Sequence, residues 1–78
     1  MNRQELETIL RAEGIRQDAY SLDGGLPSER LCLAAEGGGW VVYYSERGIR
    51  SRLREFSTES AACQYLLNEL RDDLSATR

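Results

Sequence analysis

The chain offers few of the side chains that commonly carry enzyme chemistry. It has no histidine, and all ten of its basic residues are arginine. Without histidine the usual general base and the Ser–His and Cys–His nucleophile pairs cannot form. Without lysine there is no Schiff base and no Walker-type phosphate lysine. Carboxylate pairs remain possible, but a chain of 78 residues offers little depth for a pocket that would perturb them. We expect no catalytic residues, no cofactor and no enzyme activity.

The two cysteines, Cys32 and Cys63, stand 31 positions apart, in a predicted strand and a predicted helix. We expect two small buried thiols, because free cysteine is among the most frequently buried residue types. A disulfide is the alternative, although such bonds are rare in a reducing cytosol. Two cysteines without histidine cannot supply the usual four ligands of a zinc ion. The sequence therefore predicts no metal site.

Two glycine-rich segments could suggest loops that hold a phosphate. Asp23-Gly24-Gly25 lies in a polar stretch with the single proline, and Gly37-Gly38-Gly39 follows a predicted strand. A phosphate loop needs a helix N-terminus directly after it, and neither segment is followed by one. We interpret both segments as turns in which glycine supplies the backbone freedom.

The stretch from Trp40 to Phe56 carries the strongest strand signal. Five residues that favour strands, WVVYY, run into the polar break Ser45–Gly48, and a second run follows from Ile49. This pattern predicts a β-hairpin. Before it, RLCLAAE at 30–36 alternates apolar residues on one face and predicts a further strand.

Arg50, Arg52 and Arg54 recur with period two in the last strand, so we expect them to share one face. Phe56 has the same parity, which indicates a bend or a bulge near the strand's end. Segment 40–56 carries four arginines against two glutamates, a net charge of +2. Charges of this kind protect an edge strand from aggregation, or they bind an acidic partner. Binding of nucleic acid is disfavoured, because the whole chain has a net charge of −3 and a pI near 4.9.

A helix is predicted on each side of the strands. Asn2 and Glu5 form a capping-box pattern, and Gly14 is placed to end a helix over residues 3–13. Ser57 is the predicted N-cap of the second helix, where its hydroxyl would accept a free backbone amide.

The second helix has the clearest periodic pattern in the chain. Its apolar stripe comprises Ala62, Cys63, Leu66, Leu67, Leu70 and Leu74. We expect this stripe to pack on the sheet beside the first helix, and a dimerising seam is the alternative. Asp72 and Asp73 oppose the helix dipole, so we expect the helix to fray near them.

These elements predict one α+β domain over residues 1–78, in the order α-β-β-β-α. A three-stranded antiparallel meander would carry both helices packed on one face, with a loop or a very short strand between residues 19 and 22. No apolar run approaches the ~20 residues that span a bilayer, and the acidic N-terminus lacks the apolar segment of a secretion signal. We expect a cytoplasmic protein that does not enter a membrane.

Three stretches resemble a family of small bacterial proteins that confer immunity to polymorphic secreted toxins. They are YSLDGGLP at 20–27, WVVYYSERG at 40–48 and FSTESAACQYLL at 56–67, and the similarity covers most of residues 3–70. The resemblance implies tight one-to-one binding that blocks or distorts a toxin's active site. It further implies a cognate toxin domain as partner, either a nuclease or a hydrolase of nicotinamide dinucleotide. An acidic inhibitor suits a basic nuclease.

If the resemblance holds, we expect the toxin contacts on the exposed turns and the hairpin. The predicted contact residues are Tyr20, Asp23, Glu29, Tyr44, Ser45, Glu46 and Arg47, with Arg50 and Arg52 as peripheral steering charges. The alternative is solvated surface for the polar residues and core packing for the two tyrosines. The protein itself would be a monomer or a weak homodimer.

Overall fold

The computed structural model describes residues 1–26 and 29–76, with the backbone alone for 73–76. The elements in chain order are α1 (Arg3–Ala12), a 3₁₀ turn (Gln17–Ala19), β1 (Tyr20–Ser21), β2 (Arg30–Glu36), β3 (Gly39–Glu46), β4 (Ile49–Phe56) and α2 (Glu59–Ala76). The predicted α+β class and the predicted order of the two helices and three longer strands are confirmed.

The sheet has four strands in the order β1-β2-β3-β4, so the prediction of three strands is wrong in this detail. The additional strand, Tyr20–Ser21, is the very short strand that was the alternative to a loop between residues 19 and 22. β1 lies parallel to β2, whereas β2, β3 and β4 form the predicted antiparallel meander. The two residues of β1 are too few to show an alternating pattern. Their pairing with β2 instead follows from the path of the chain after α1, which returns along the edge of the sheet.

Helix α1 begins at Arg3, as predicted, and ends at Ala12, one residue before the predicted end. The amide of Glu5 donates to Oδ1 of Asn2 at 2.8 Å, and the amide of Asn2 donates to Oε1 of Glu5 at 3.1 Å, which completes the capping box. Gly14 adopts a φ of +73°, a left-handed conformation that glycine reaches without strain. The chain then folds back, and the amide of Ile15 donates to the carbonyl of Leu10 at 3.0 Å.

Helix α2 differs from the prediction at both ends. Thr58 caps it instead of Ser57, because Oγ1 of Thr58 accepts the amide of Ala61 at 3.1 Å. The helix continues to Ala76, beyond the predicted fraying point. A carboxylate near a helix C-terminus costs only about 0.3–1 kcal/mol, which the packing of the helix offsets. Within the described ranges, neither helix is both long enough and apolar enough to cross a bilayer.

Both helices pack on the same face of the sheet, which we call the helix face. This face carries Leu31, Leu33 and Val42, and it meets Leu6 and Leu10 of α1. The described part of the α2 stripe (Ala62, Cys63, Leu66, Leu67 and Leu70) is buried in the same core, and the side chain of Leu74 lies outside the described residues. This described part of the stripe is therefore occupied within a single chain.

The opposite face of the sheet, the open face, carries a second small apolar cluster of Cys32, Val41 and Tyr43. The segment after β1 folds over it. Oη of Tyr43 donates to the carbonyl of Gly25 at 2.7 Å, and a Cβ on Gly24 would lie 3.1 Å from Cβ of Ala34. This close contact explains why a glycine-rich segment can cover part of a face that carries no helix.

Candidate protein-binding surface

The predicted contact residues divide by exposure. Asp23, Glu29, Glu46, Arg47, Arg50 and Arg52 are exposed, and Tyr44 is half-buried. Tyr20 and Ser45 are 6% and 0% exposed. A docked partner would not touch these last two side chains, so the structure corrects their placement on the contact surface. Tyr20 packs with the helix-face core, and Ser45 points into the sheet's open face between two arginines.

The exposed predicted residues gather mainly at one end of the sheet, which we call the hairpin end. In the register Arg30 lies opposite Ser45, which lies opposite Arg50, and the turn Glu46–Ile49 follows directly. Glu29 precedes this row. Positive φ values at Arg47 and Gly48, 53° and 77°, match the two-residue turn that suits the twist of a hairpin.

Asp23 lies elsewhere. It follows β1 by two residues, and its carboxylate meets the guanidinium of Arg3 at 3.4 Å. Arg3 also lies over the ring of Trp40, 5.5 Å from the ring centre, near the far end of β3. The structure therefore separates Asp23 from the hairpin end that the other exposed residues share.

Arg50 is held on the open face by two partners. Its guanidinium donates to both carboxylate oxygens of Glu36 at 2.9 and 2.8 Å, and it lies over the ring of Tyr43 at 4.3 Å. The hydrogen bond from Arg50 lowers the pKa of Glu36 below its usual value, and the same bond raises the pKa of Arg50. An arginine fixed on both sides is a rigid element of the surface.

A β-bulge interrupts β4 at Arg52. Tyr44 lies opposite Ser51 but Val42 lies opposite Arg54, so Tyr43 faces two residues of β4 instead of one. Arg52, at the bulge, adopts a φ of 54°. The predicted irregularity is confirmed, although it lies in the middle of the strand and not at its end.

The bulge breaks the predicted arginine stripe. Residues directly opposite each other share a face, so Arg50 lies on the open face with Ser45, and Arg54 lies on the helix face with Val42. The prediction that the three arginines share one face is therefore wrong. Arg52, at the bulge itself, lies over the ring of Tyr44 at 5.8 Å.

The physical reason for the bulge is the position of Phe56. With the extra residue Phe56 lies opposite Trp40, and its ring packs on Tyr65 with 5.2 Å between the ring centres. An unbroken register would place Glu55 opposite Trp40 on the helix face. The bulge therefore buries the ring of Phe56 on the helix face, where the unbroken register would place the carboxylate of Glu55. It also places Leu53 on the open face.

A groove opens on the open face, at the end of the β3–β4 hairpin that lies away from the Arg47–Gly48 turn. It has a volume of about 550 Å³ and is lined by Glu36, Gly37, Gly38, Gly39, Trp40, Val41, Leu53, Glu55, Phe56 and Ser57. We call it the glycine-turn groove. Sequence reasoning missed it, and the parity of Phe56 is the one sequence signal that could have indicated it.

The sequence also did not predict two buried hydroxyls that lack a hydrogen-bond partner within the described ranges. Oη of Tyr20 and Oγ of Ser45 have no hydrogen-bond partner among the described residues. An unpaired buried hydroxyl costs about 1–3 kcal/mol, so neither group stabilises the fold. No sequence pattern marks such a site, because it depends on what the neighbouring strands present.

The cysteines form no reactive or metal-binding site in the part of the chain that the structure describes. Both thiols are free and buried, Cys32 on the open face and Cys63 in the helix-face core. The sheet separates them, and burial raises the pKa of each. Within residues 1–26 and 29–76, no cluster of three cysteine or carboxylate side chains could hold a metal ion.

Comparison with known proteins gives no match. No protein-family model, no curated protein and no solved structure matches the chain. The likeness to toxin-immunity proteins therefore rests on the three sequence stretches alone.

Proposed function

We propose that this chain is an immunity protein that binds a secreted bacterial toxin one-to-one and blocks or distorts its active site in the cytoplasm of the producing cell. The observation that supports this most is the hairpin end. Glu29, Glu46, Arg47 and Arg50, which come from three strands or their flanks, are exposed together there. Acidic and basic groups held side by side give a surface that can discriminate between partners.

The rigidity of this end favours tight binding. Tyr43 and Ser45 are fully buried immediately before the turn, and the pair Arg50–Glu36 ties β4 to β2 across β3. A contact surface that is ordered before binding loses less conformational entropy when the complex forms. One-to-one inhibitors benefit from this because their affinity must exceed that of the competing substrate.

The net charge supports a basic toxin. The chain carries −3, and opposite charge on a partner raises the rate of association. Both toxin classes named from the sequence, a nuclease and a hydrolase of nicotinamide dinucleotide, act on phosphate-bearing substrates. Their active sites would therefore present positive charge to an acidic inhibitor.

The two alternative functions have less support. Dimerisation through α2 would need the apolar stripe, of which Ala62, Cys63 and Leu66 are fully buried in the chain's own core. Nucleic-acid binding would need a continuous arginine face, but Arg50 and Arg54 lie on opposite faces of the sheet.

The test is a pull-down of the tagged chain against the product of the adjacent gene, followed by co-expression in a host that this product kills. Rescue of growth together with a one-to-one complex would support immunity. Absence of both would refute it for that pair.

Matched charge reversals then locate the contact surface. Glu46→Arg and Asp72→Arg change the net charge equally, but only Glu46 lies at the hairpin end, and both residues are exposed. We expect Glu46→Arg to weaken the complex roughly tenfold through faster dissociation, whereas Asp72→Arg should change only the salt-dependent association rate. Equal effects of the two variants would place the toxin elsewhere.

A further inference from the structure

We infer that the glycine-turn groove is a docking site for a protein segment that places an arginine or lysine beside an apolar side chain. The groove lies at the opposite end of the β3–β4 hairpin from Glu46 and Arg47. The inference goes beyond the proposed function, because it does not depend on what the partner does. It depends on an apolar floor, an acidic rim and an unobstructed mouth.

The floor of the groove is apolar. Val41 and Leu53 both line it, and Leu53 is 41% exposed. Leu53 reaches this face only because the bulge shifts the register, and the bulge holds Arg52 at a φ of 54°, which strains a residue with a side chain. A leucine that is left open to solvent on a rigid strand is suited to cover an apolar side chain of a partner.

The rim of the groove is acidic. Glu36 and Glu55 line it, and no arginine does. Glu36 is already neutralised by Arg50, whereas Glu55 makes no ion pair with any residue that the structure describes. Glu55 lies directly opposite Val41, so its carboxylate rises from the same face beside the apolar floor. A cationic side chain next to an apolar one would satisfy both features together.

The mouth of the groove carries no side chains that would obstruct it. Gly37 and Gly38 form the turn between β2 and β3 with φ values of 62° and 79°, and a Cβ on either would meet nothing within 4 Å. Gly39 approaches β4 so closely that a Cβ there would lie 2.7 Å from the carbonyl oxygen of Phe56. A volume of about 550 Å³ lies within the range of sites that hold a ligand or a few side chains.

Charge complementarity selects this partner over others. A phosphate-bearing ligand would be repelled by the carboxylate of Glu55, which has no ion pair among the described residues, and a purely apolar ligand would leave Glu55 beside it without a counter-charge. A peptide segment with a basic residue next to a leucine or an isoleucine offers both contacts.

Two short peptides provide the test. The amide spectrum of the ¹⁵N-labelled chain would be recorded during titration with Ac-Leu-Arg-Leu-NH₂ and, separately, with Ac-Leu-Glu-Leu-NH₂. We expect the arginine peptide to shift the amides of Val41, Leu53 and Glu55 with weak affinity, as is usual for a short flexible ligand. The glutamate peptide should bind several-fold more weakly.

Substitutions test whether the peptide binds in the groove or at another exposed apolar residue. Leu53→Thr and Glu55→Gln should each weaken the arginine peptide several-fold. Ile49→Thr is the matched control, because Ile49 is the other exposed aliphatic residue of β4, at 67% exposure, and it does not line the groove. Ile49→Thr should leave the shifts unchanged.

Other outcomes would overturn the inference. The inference that a basic segment binds in the groove would be wrong if both peptides gave equal shifts, if the shifts were confined to the hairpin end, or if neither peptide gave any shift. Concentration-dependent changes at the same amides without peptide would assign the groove to a second copy of the chain. Because no toxin enters the experiment, failure here leaves the proposed function standing, and failure of the toxin pull-down leaves this result unaffected.

Discussion

Removal of the hydroxyl from each of two buried tyrosines should change the free energy of unfolding differently. Oη of Tyr43 donates to the carbonyl of Gly25 at 2.7 Å, and the residue is fully buried. Tyr43→Phe removes this bond, so we expect a loss of about 1 kcal/mol in the free energy of unfolding. Oη of Tyr20 has no partner among the described residues, so Tyr20→Phe removes only a desolvated hydroxyl. We expect no loss there, or a gain of up to about 1 kcal/mol.

The two effects are large enough to measure. For a domain of this size 1 kcal/mol corresponds to a change of about 4–8 °C in Tm. Urea denaturation should shift the midpoint and leave the slope unchanged, because neither variant alters the surface exposed on unfolding. Tyr43→Phe should also speed amide hydrogen exchange in the segment after β1, which would keep the bond from Oγ of Ser21 to the carbonyl of Gly24 and the contacts of Arg3 with Leu22 and Asp23.

Tyr65→Phe is the control for both variants. Its hydroxyl is partly buried and donates to Oε1 of Glu69 at 2.7 Å along α2, so its loss should fall between the other two. If Tyr20→Phe destabilises the protein as much as Tyr43→Phe does, the phenol of Tyr20 has a partner such as a bound water. If Tyr43→Phe has no effect, the contact with Gly25 does not hold the segment over the open face.

Three further substitutions test the strands. Ser45→Ala removes a buried hydroxyl without a partner among the described residues, so the free energy of unfolding measured in urea should rise by about 1 kcal/mol. Gly39→Ala would place a Cβ 2.7 Å from the carbonyl oxygen of Phe56, and we expect a loss of about 1–3 kcal/mol in the same assay. Glu36→Gln removes the charge that Arg50 binds. Because that pair lowers the pKa of the folded carboxyl, its contribution is present above the unfolded pKa and is lost as pH falls through the folded pKa. The stability difference between wild type and Glu36→Gln should therefore be present at neutral pH and disappear in acid.

Each of these has a matched control on the same sheet. Ser51→Ala removes an exposed hydroxyl and should be nearly neutral, and Gly38→Ala adds a Cβ in open space, where only the left-handed backbone opposes it. Glu55→Gln removes a carboxylate that has no ion pair among the described residues, so it should change the free energy of unfolding at neutral pH less than Glu36→Gln does. Should Ser45→Ala destabilise the protein, or should Gly39→Ala match Gly38→Ala, the assigned packing would be incorrect.

Local chemistry made several elements predictable from sequence. The capping box of Asn2 and Glu5 and the left-handed Gly14 depend on residues within a few positions of each other, and both are confirmed. The hairpins at Gly37–Gly38 and Arg47–Gly48 follow from turn residues between strand-forming runs. Each of these predictions depends only on residues that are close together along the chain.

The remaining features depend on contacts between distant residues. The cover of Tyr43 by Gly25 joins positions 18 apart, and the pairing of Tyr20 with Leu31 leaves no periodic pattern. Ser45 is buried because of this surrounding structure, although its sequence position in a polar break indicated exposure. The exposure of the hairpin turn was therefore predictable from sequence, and the burial of the strand residues beneath it was not.

The bulge at Arg52 also determines which sequence changes β4 can accept. A substitution to glycine or asparagine would keep the extra residue and suit the φ of 54° better than arginine does. Deletion of the same residue would remove the bulge and leave Leu53 alone opposite Tyr43, so Phe56 would stay opposite Trp40 and Arg54 opposite Val42. Arg52 is thus an exposed position at which both replacement and deletion should leave the pairing of the sheet intact. Among related sequences, a single-residue deletion should occur at this position more readily than elsewhere in β4.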